Sequence, residues 1–260
     1  MKIIVCVKQV PDTTEVRIDP KTNTLIREGV PSIINPDDMN AIEAALTLKD
    51  NNPGSTVTLI CMGPPQADVA LREGLAMGCD EAVLVTDRVF GGSDTWATSN
   101  ILSHAIADLE YDIVFCGRQA IDGDTAQVGP QIAERLNLPQ VTYVADIKQD
   151  GDTLTVQRNL EDGYQIVEIK TPCMLTCIKE LNEPRYPSMG GIFDAYKKDV
   201  VWYTNEKLNV DSSLCGLKSS PTKVNRTFTP PAKTPGILIP EANEQTVSQV
   251  YQALKEKHYL

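Results

Sequence analysis

Short apolar runs alternate with amphipathic stretches along the first 140 residues of the chain. Ile3–Val7 is an almost continuous apolar run, as expected of a strand that is buried on both faces of a parallel sheet. Further strands are predicted at Thr56–Met62, Ala82–Val85 and Ile113–Cys116. Helices are predicted between them, beginning at Asn35–Asp38, running from Gly63 to Met77, and covering Asp94–Glu110 and about Gln127–Leu136. In the first of these, Asn35 can cap the helix, Pro36 suits its first turn and the two aspartates suit the positive end of its dipole. This alternation predicts an α/β fold with a doubly wound parallel sheet.

The pattern changes after Pro139, where strand-like segments follow one another with few helical residues between them. The predicted strands are Val141–Lys148, Thr153–Asn159, Tyr164–Lys170 and Met174–Ile178. Asp162-Gly163 stands between two of these strands and is typical of a hairpin turn. We therefore expect added antiparallel strands, which either extend the main sheet or form a small sheet beside it.

Residues 209–240 are rich in Ser, Thr, Pro and Lys and show no periodicity of apolar positions. Such a segment cannot bury enough apolar surface by itself to offset the entropy lost on ordering. A helix is predicted after it, over Glu241–Lys257, with Val247, Val250 and Leu254 on one face. We predict an α/β domain over residues 1–208 and an extended arm over 209–260 that packs on a partner. The alternative is a loose tail whose helix folds back on its own domain.

The net charge of −11 and the seven cysteines limit the possible partners and compartments. An acidic chain repels phosphate backbones, so nucleic acid is not expected as a partner. The odd number of cysteines, several of them in predicted strands, indicates buried free thiols in a reducing compartment, and their spacing predicts no metal site. No apolar run approaches the ~18 residues of a membrane helix, and the N-terminus lacks the features of a signal peptide. We expect a cytoplasmic or matrix-like protein without membrane insertion.

Catalytic side chains are not evident in this sequence. Its two histidines are His104, in a predicted helix, and His258, near the C-terminus, so a Ser-His-Asp or Cys-His arrangement is not expected. No Walker A loop is present and no G-x-G-x-x-G sequence follows the first strand. P-loop NTPases and standard Rossmann dehydrogenases are therefore disfavoured.

One polar, glycine-rich stretch stands out, C-G-R-Q-A-I-D-G-D-T-A-Q-V-G-P at 116–130, between a predicted strand and a predicted helix. In open α/β sheets, ligands bind at this carboxyl edge of the strands. Backbone amides around Thr125–Val128 would face a phosphate at the helix start. Gly117, Gly123 and Gly129 would let the backbone approach a ligand closely. The alternative is a tight turn capped by an aspartate.

Other loops are expected at the same edge, namely Lys8–Thr13, Gly63–Pro65 and Asn35–Asp38. Together with the stretch at 116–130 they would form a cleft for an adenosine group. Asp122 and Asp124 are unfavourable beside a phosphate, and they suit amide capping or a ribose hydroxyl better. The sequence from Val7 to Thr13 taken alone is equally consistent with an ordinary loop.

Five sequence motifs, in this order, carry a resemblance to a known family. They are V-K-Q-V-P-D-T at 7–13, N-P-D-D-M-N-A-I-E-A-A-L at 35–46, A-M-G-C-D-E-A at 76–82, G-R-Q-A-I-D-G-D-T-A-Q-V-G-P at 117–130 and L-N-E-P-R-Y-P at 181–187. The chain resembles the beta subunit of electron transfer flavoproteins from its N-terminus to about residue 200. The proline-rich region after that matches the family in character more than in letters.

The resemblance implies an adenine-nucleotide-binding α/β domain that forms an obligate heterodimer with a larger alpha subunit. It implies a cofactor site lined by Cys6, Asn35, Pro36, Asp37, Asp38, Met62, Gly117, Arg118, Gln119, Ala120, Ile121, Asp122, Gly123, Asp124, Thr125, Ala126, Gln127 and Val128. It also implies that Tyr186, Met189 and Ile192 dock an acyl-CoA dehydrogenase-type partner. Met189 matches the exposed apolar anchor, which Pro187 and Gly190-Gly191 would hold on a protruding turn. The alternative is that Met189 packs under its own helix. No residue of the chain is expected to act as a catalytic group or a metal ligand.

Two branches of the family differ in the nucleotide held by this subunit. The single-flavin branch holds AMP as a structural ligand and takes electrons from acyl-CoA dehydrogenases. The bifurcating branch holds a second FAD, which takes electrons from NADH and passes them to a dehydrogenase-type partner and to a low-potential acceptor. D-G-D-T-A-Q-V-G-P stands here in place of the mitochondrial D-D-D-C-N-Q-T-G pattern, and Pro11-Asp12-Thr13 in place of a bulky aromatic residue. Both differences favour the bifurcating branch.

Two other classes of protein remain as alternatives. An ATP-using adenylating enzyme of the same fold would need a Ser- and Gly-rich pyrophosphate loop near the first strand, and V-K-Q-V-P-D-T has neither residue. A nucleotide-binding stress or regulatory protein without redox function is disfavoured by the long arm after residue 209. Purification with the partner and a visible spectrum would separate the three classes.

Overall fold

The computed structural model describes residues 1–12, 31–225 and 235–260. Its strands are β1 (Lys2–Val7), β2 (Gln9–Pro11), β3 (Ser32–Ile34), β4 (Thr56–Met62), β5 (Glu81–Val85), β6 (Ile113–Gly117), β7 (Gln140–Asp150), β8 (Thr153–Asn159), β9 (Tyr164–Lys170), β10 (Cys173–Cys177) and β11 (Val200–Tyr203). Its helices are α1 (Pro36–Asn51), α2 (Asp68–Met77), α3 (Thr95–Ala107), α4 (Val128–Arg135), α5 (Met189–Ala195), α6 (Asn205–Leu208), α7 (Gly216–Ser219) and α8 (Glu244–Glu256).

Nine of these strands form one sheet in the order β11-β5-β4-β1-β6-β10-β7-β8-β9. The strands from β11 to β7 run parallel, and β8 and β9 are antiparallel additions at one edge. The chain builds outward from β1 through β4 to β5 and then crosses to β6 on the other side of β1. The predicted α/β fold is confirmed, and the antiparallel strands extend the main sheet rather than forming a second one.

Strand β1 shows why a continuous apolar run was needed at the centre of this sheet. Ile3 and Val5 belong to the apolar cluster that includes side chains of α1 and α2. Ile4 and Cys6 belong to the second cluster, with side chains of α3 and α4. Because side chains alternate between the faces of a strand, a sheet covered on both faces has no polar position in its central strand.

The structure divides the chain at a different residue from the predicted boundary. Residues 1–225 form one compact unit and 226–260 a second, whereas the sequence placed the division after residue 208. Val210, Cys215 and Ser220 are buried in the first unit. The Ser220 hydroxyl accepts a hydrogen bond from the Asp94 amide at 2.9 Å. Side-chain to backbone hydrogen bonds of this kind leave no trace in hydrophobic periodicity.

Several short elements of the first unit were not predicted, namely β2, β3, β11, α5, α6 and α7. Strand β11 pairs in parallel with β5 at the edge of the sheet, and the short helix α5 begins at Met189. In the second unit, α8 lies within the predicted helix Glu241–Lys257 and begins with a capping box formed by Asn243 and Thr246. Among the described residues, no helix is long and apolar enough to cross a membrane.

Candidate functional site

The candidate cofactor residues gather where the connections of the sheet change direction, at the carboxyl ends of β1 and β6. Cys6 and Cys116 are neighbours in the register of these two strands, and Gly117 ends β6. Helix α1 begins at Pro36, with Asp37 and Asp38 in its first turn. A change in the direction of connections leaves a crevice between the two loops that leave the sheet, which is where open α/β sheets bind ligands.

Asn35 joins the start of α1 to the loop after β6. Its side-chain nitrogen donates to the Gln119 carbonyl at 2.8 Å, and its side-chain oxygen accepts from the Ile121 amide at 3.1 Å. Only 1% of Asn35 is exposed. The expectation that Asn35 caps its own helix is wrong, since its side chain makes no cap hydrogen bond. Both of its polar groups are instead used to fix the backbone of residues 119–121.

Asp38 joins the same helix to both strands. One carboxylate oxygen accepts from the Gly117 amide at 2.9 Å and the other from the Lys8 amide at 2.8 Å. Burial raises the pKa of Asp38 to about 7. A Cβ atom at Gly117 would overlap Asp37 and Asp38, so this glycine is required for the close approach of α1 to β6. Asn35 and Asp38 together fix the two loops that border the crevice.

The acidic side chains of the loop have partners within the site. Asp122 lies 2.5 Å from the Lys8 ammonium, and Asp124 accepts a hydrogen bond from the Gln119 side chain at 2.8 Å. Two carboxylates near a phosphate would be unfavourable if they were unpaired. Here the Lys8 ammonium balances the charge of Asp122, and Asp124 binds the side chain of Gln119 in the same loop.

Arg118 is the second cation of the site. Its guanidinium Nε lies 3.5 Å from a carboxylate oxygen of Asp37, and its guanidinium carbon lies 5.7 Å from the centre of the Tyr143 ring. Burial raises the pKa of Asp37, and the charge of Arg118 opposes this effect. Tyr143 itself has a left-handed backbone conformation, with φ of 58°, which is unusual for an aromatic residue.

The loop before α4 leaves several backbone donors available. Asp124 and Ala126 have φ of 50° and 52°, a left-handed conformation that is costly for residues with a Cβ atom. The backbone amides of Thr125, Ala126 and Gln127 donate no hydrogen bond to any acceptor in residues 1–12, 31–225 and 235–260. Helix α4 begins directly after them, at Val128. Unpaired amides at a helix N-terminus form a binding site for an anion such as a phosphate.

The three glycines of this stretch have different roles. A Cβ atom at Gly129 would lie 2.6 Å from the Cys116 sulfur and 2.8 Å from a Thr176 methyl group, so Gly129 is needed for packing α4 on the sheet. A Cβ atom at Gly123 would meet nothing within 4 Å. Of the glycines predicted to admit a ligand, only Gly123 has open space in front of it.

Neutral side chains form the rest of the site. Burial raises the pKa of Cys6 and Cys116 well above that of an ordinary thiol. Both thiols therefore stay protonated and are poor nucleophiles. Met62 is half-buried at the carboxyl end of β4, the neighbour of β1. The arrangement of the described residues can bind, orient and shield a ligand.

Comparison with known proteins identifies the family of the chain. The family model of the electron transfer flavoprotein domain matches residues 22–206 of the chain, which is more than half of its length. The chain belongs to the electron transfer flavoprotein family.

Members of the electron transfer flavoprotein family resemble the chain along its whole length. The electron transfer flavoprotein subunit beta of Clostridium acetobutylicum is 60% identical over 260 residues, with both chains covered completely. The caffeyl-CoA reductase-Etf complex subunit CarD of Acetobacterium woodii is 56% identical over 262 residues, with the same coverage. The acryloyl-CoA reductase electron transfer subunit gamma of Anaerotignum propionicum is 50% identical over 269 residues, again with complete coverage of both. The predicted resemblance is confirmed, and the chain functions as an electron transfer flavoprotein beta subunit.

The residues that the family resemblance assigned to partner docking are exposed. Tyr186 is 94% exposed, Met189 75% and Ile192 44%. Met189 does not stand on a turn but begins α5, where the Ser188 hydroxyl caps the helix by accepting from the Gly191 amide at 2.9 Å. The alternative that Met189 packs under its own helix does not hold, because three-quarters of its surface is open.

Nine of the eighteen predicted cofactor residues take part in polar contacts within the site. These hydrogen bonds and ion pairs involve Asn35, Asp37, Asp38, Gly117, Arg118, Gln119, Ile121, Asp122 and Asp124. Sequence reasoning left three further residues of the site unassigned. Lys8 could have been found from its place directly after β1. Tyr143 and Thr95, whose hydroxyl donates to the Gln127 side chain at 2.8 Å, carry no signal in the sequence.

Proposed function

We propose that the chain binds FAD in the crevice between the β1 and β6 loops, as one half of a heterodimer with an electron transfer flavoprotein alpha subunit. The observation that carries this proposal is the group of unpaired amides at Thr125–Gln127, directly before α4. Unpaired amides at the N-terminus of a helix stabilise a bound phosphate. Because Asn35 and Asp38 fix the surrounding loops, the donors are held in place before the nucleotide binds.

The residues present suit an adenine nucleotide. The amides from Thr125 to Val128 would hold phosphate oxygens. The open space in front of Gly123 would leave room for the nucleotide. Asp122 and Asp124 lie on the same loop and could accept hydrogen bonds from ribose hydroxyls. Cys6 and Met62 supply uncharged surface at the strand ends. These features suit FAD and AMP alike, since both carry an adenosine group and at least one phosphate.

A bound flavin would supply all of the redox chemistry. The side chains of this subunit would bind and orient it, exclude water and set its electrostatic surroundings. Four carboxylates and two cations lie around the crevice, so its net charge is −2, or −1 when Asp38 is protonated. Two of the carboxylates are paired with the cations, since Lys8 forms an ion pair with Asp122 and Arg118 forms one with Asp37.

We further propose that the heterodimer belongs to the bifurcating branch, with NADH as donor and with an acyl-CoA dehydrogenase-type partner and a low-potential acceptor. Two sequence differences from the mitochondrial type support it, at 122–130 and at Pro11-Asp12-Thr13. Pro11 lies in β2 and Thr13 lies outside the described residues. Relatives named for caffeyl-CoA reductase and acryloyl-CoA reductase complexes are consistent with a dehydrogenase-type partner. The second candidate is a single-FAD protein with AMP in this site.

The second unit, 226–260, is proposed to pack on the alpha subunit. Its helix α8 carries Val247, Val250, Tyr251 and Leu254 at helical spacing, which forms an apolar stripe suited to a partner surface. Deletion of residues 226–260 is expected to abolish the heterodimer and leave the α/β unit folded. Deletion of 209–260 should also destabilise that unit, because Val210, Cys215 and Ser220 are buried in it. A tight heterodimer formed by the 1–225 fragment would contradict this assignment.

Tyr186, Met189 and Ile192 are proposed to dock the dehydrogenase. Their exposure leaves them free to bury apolar surface in a partner pocket. Methionine is long, unbranched and polarizable, so it adapts to an irregular pocket and suits a transient contact.

The decisive experiment is purification of the heterodimer with its alpha subunit, followed by extraction and quantification of nucleotides and a visible spectrum. Two FAD per heterodimer, with bleaching of flavin absorbance by NADH, are expected for the bifurcating form. One FAD and one AMP would select the single-flavin form. A beta subunit without any adenine nucleotide in the purified heterodimer would refute the proposed site.

A further inference from the structure

Helix α1 carries a second group of polar contacts beyond its first turn. The Asn40 side chain donates to the Asn182 carbonyl at 2.8 Å, and the Asn182 side chain donates back to the Asn40 carbonyl at 2.9 Å. Only 4% of Asn40 is exposed. This reciprocal pair fixes the chain after β10 along the side of α1, in the middle of the L-N-E-P-R-Y-P sequence.

Arg185 makes a stronger attachment to the same helix. Its Nε donates to one oxygen of Glu43 at 2.8 Å and its terminal nitrogen donates to the other at 2.9 Å. The Arg185 amide donates to Glu43 as well, at 3.0 Å, and Asp50 lies 2.9 Å from the guanidinium. Bidentate pairs of this geometry fix orientation as well as distance. Burial acts to raise the pKa of Glu43, but the hydrogen bonds from Arg185 prevail and lower it.

The segment fixed in this way leads directly into the proposed docking residues. Tyr186 follows Arg185, and Met189 begins α5 three positions later. The far end of α5 is fixed separately, since the Arg72 guanidinium donates to the Ala195 carbonyl at 2.6 Å and to the Lys198 carbonyl at 2.5 Å. The exposed residues 186–192 are therefore held between two arginine attachments, one on α1 and one on α2.

We propose that Arg185 is a positioning residue. Through its contacts with Glu43 it fixes the position of the docking segment, residues 186–192, relative to the cofactor loops that follow β1 and β6. Both are attached to α1. The cofactor loops are attached through Asn35 and Asp38. The docking segment is attached through Asn40 and Glu43. A docking segment held in its binding conformation loses less entropy on association. The inference rests on the proposed docking role of Tyr186, Met189 and Ile192.

The test uses the complete heterodimer and an acyl-CoA dehydrogenase that exchanges electrons with the wild-type protein. Arg185→Ala should raise the KM for the dehydrogenase by about tenfold and leave kcat at saturating dehydrogenase unchanged. Flavin content should also stay unchanged, because Asn35 and Asp38 remain. Amide hydrogen exchange of residues 186–192 should become faster by about tenfold or more.

Three further variants separate positioning from a general loss of structure. Arg185→Lys keeps the charge but not the bidentate geometry and should restore the KM only in part. Glu43→Gln should act like Arg185→Ala. Lys197→Ala removes an exposed ion pair with Asp194 on the same stretch of chain and should leave the KM unchanged. If Arg185→Ala fails to fold, the Arg185→Lys and Glu43→Gln variants carry the test.

The outcomes also separate this inference from the docking role itself. An increase in KM for Met189→Ala, with neither the KM nor the exchange rate altered in Arg185→Ala, would overturn the positioning role alone. An unchanged KM in both Met189→Ala and Arg185→Ala would reject the docking segment and with it the positioning role. Loss of flavin in Arg185→Ala would likewise contradict the inference, because the attachment at Glu43 is assigned to docking and not to cofactor binding.

Discussion

The proposed cofactor loops, which follow β1 and β6, and the proposed docking segment, residues 186–192, are both attached to α1, yet their side chains are arranged in opposite ways. At the cofactor loops the polar side chains are buried, with Asn35 1% and Asp38 6% exposed. At the docking segment the apolar side chains are exposed, with Tyr186 at 94% and Met189 at 75%. Buried hydrogen bonds fix a backbone to within tenths of an ångström, because an unmet polar group is costly. Exposed apolar side chains on a fixed base leave room to adapt to a partner.

The largest effect is expected from breaking the buried network at Asn35. Asn35→Ala leaves the Gln119 carbonyl and the Ile121 amide without their partner. Each unsatisfied group costs about 1–3 kcal/mol, which corresponds to a loss of nucleotide affinity of about ten- to a hundredfold. Nucleotide retained after dialysis, and its dissociation constant, measure the effect. Asn51→Ala, at the exposed far end of α1, is the control, and equal retention in both variants would contradict the role of Asn35.

Gly123 tests whether the ligand occupies the open side of the loop. A Cβ atom at Gly123 would meet nothing within 4 Å, so Gly123→Val should keep the thermal stability of the fold while nucleotide affinity falls by about tenfold or more, through a steric clash with the ligand. Gly129→Val is the contrasting variant, because its Cβ would clash with Cys116 and Thr176. It should lower the unfolding temperature first. Full nucleotide retention in the Gly123 variant would place the ligand elsewhere.

Met189→Ala tests the proposed docking segment, whose apolar side chains are exposed. Truncation of a single anchor at a small interface costs about 1.4 kcal/mol or more, so electron transfer with the dehydrogenase should slow by about tenfold. The flavin content and its reduction by NADH should not change. Ile166→Ala, on the exposed face of β9 at 59% exposure, removes a similar apolar side chain far along the sheet and should leave the rate unaltered. A loss of flavin from the Met189 variant would contradict the separation of the two regions.

The smallest effect is expected from the titration of Asp38. Burial raises its pKa to about 7, above the value of about 3.9 in an unfolded chain. Between these values the folded state binds a proton that the unfolded state does not, so stability falls as the pH rises from 5 to 8. The free energy of unfolding from urea titrations of the nucleotide-free protein should show this slope. Asp38→Asn should be less stable overall but have a shallower slope, whereas Asp162→Asn in the β8–β9 turn should retain it. Equal slopes in the Asp38 variant and the wild type would refute the assignment.

The sequence by itself determined the central strands, the helices between them and the edge of the sheet that carries the candidate site. Apolar runs specify strands buried on both faces, and the N-P-D-D sequence at 35–38 specifies the start of α1 through proline geometry and the helix dipole. These are local effects, since they depend on neighbours within a few residues. The same locality explains why the loop at 116–130 could be predicted to bind a ligand from its own residues and its place between a strand and a helix.

Only the tertiary structure decided what the polar residues do. Asn35 was expected to cap its own helix, but it bonds to Gln119, which is 84 positions away in the chain. Gly129 was expected to admit a ligand, but it is required for packing against β6 and β10. Ser220 places residues 209–225 with the first unit through a bond to Asp94. Such pairings depend on which loops the sheet topology brings together, and hydrophobic periodicity along the chain records burial but not the identity of a distant partner.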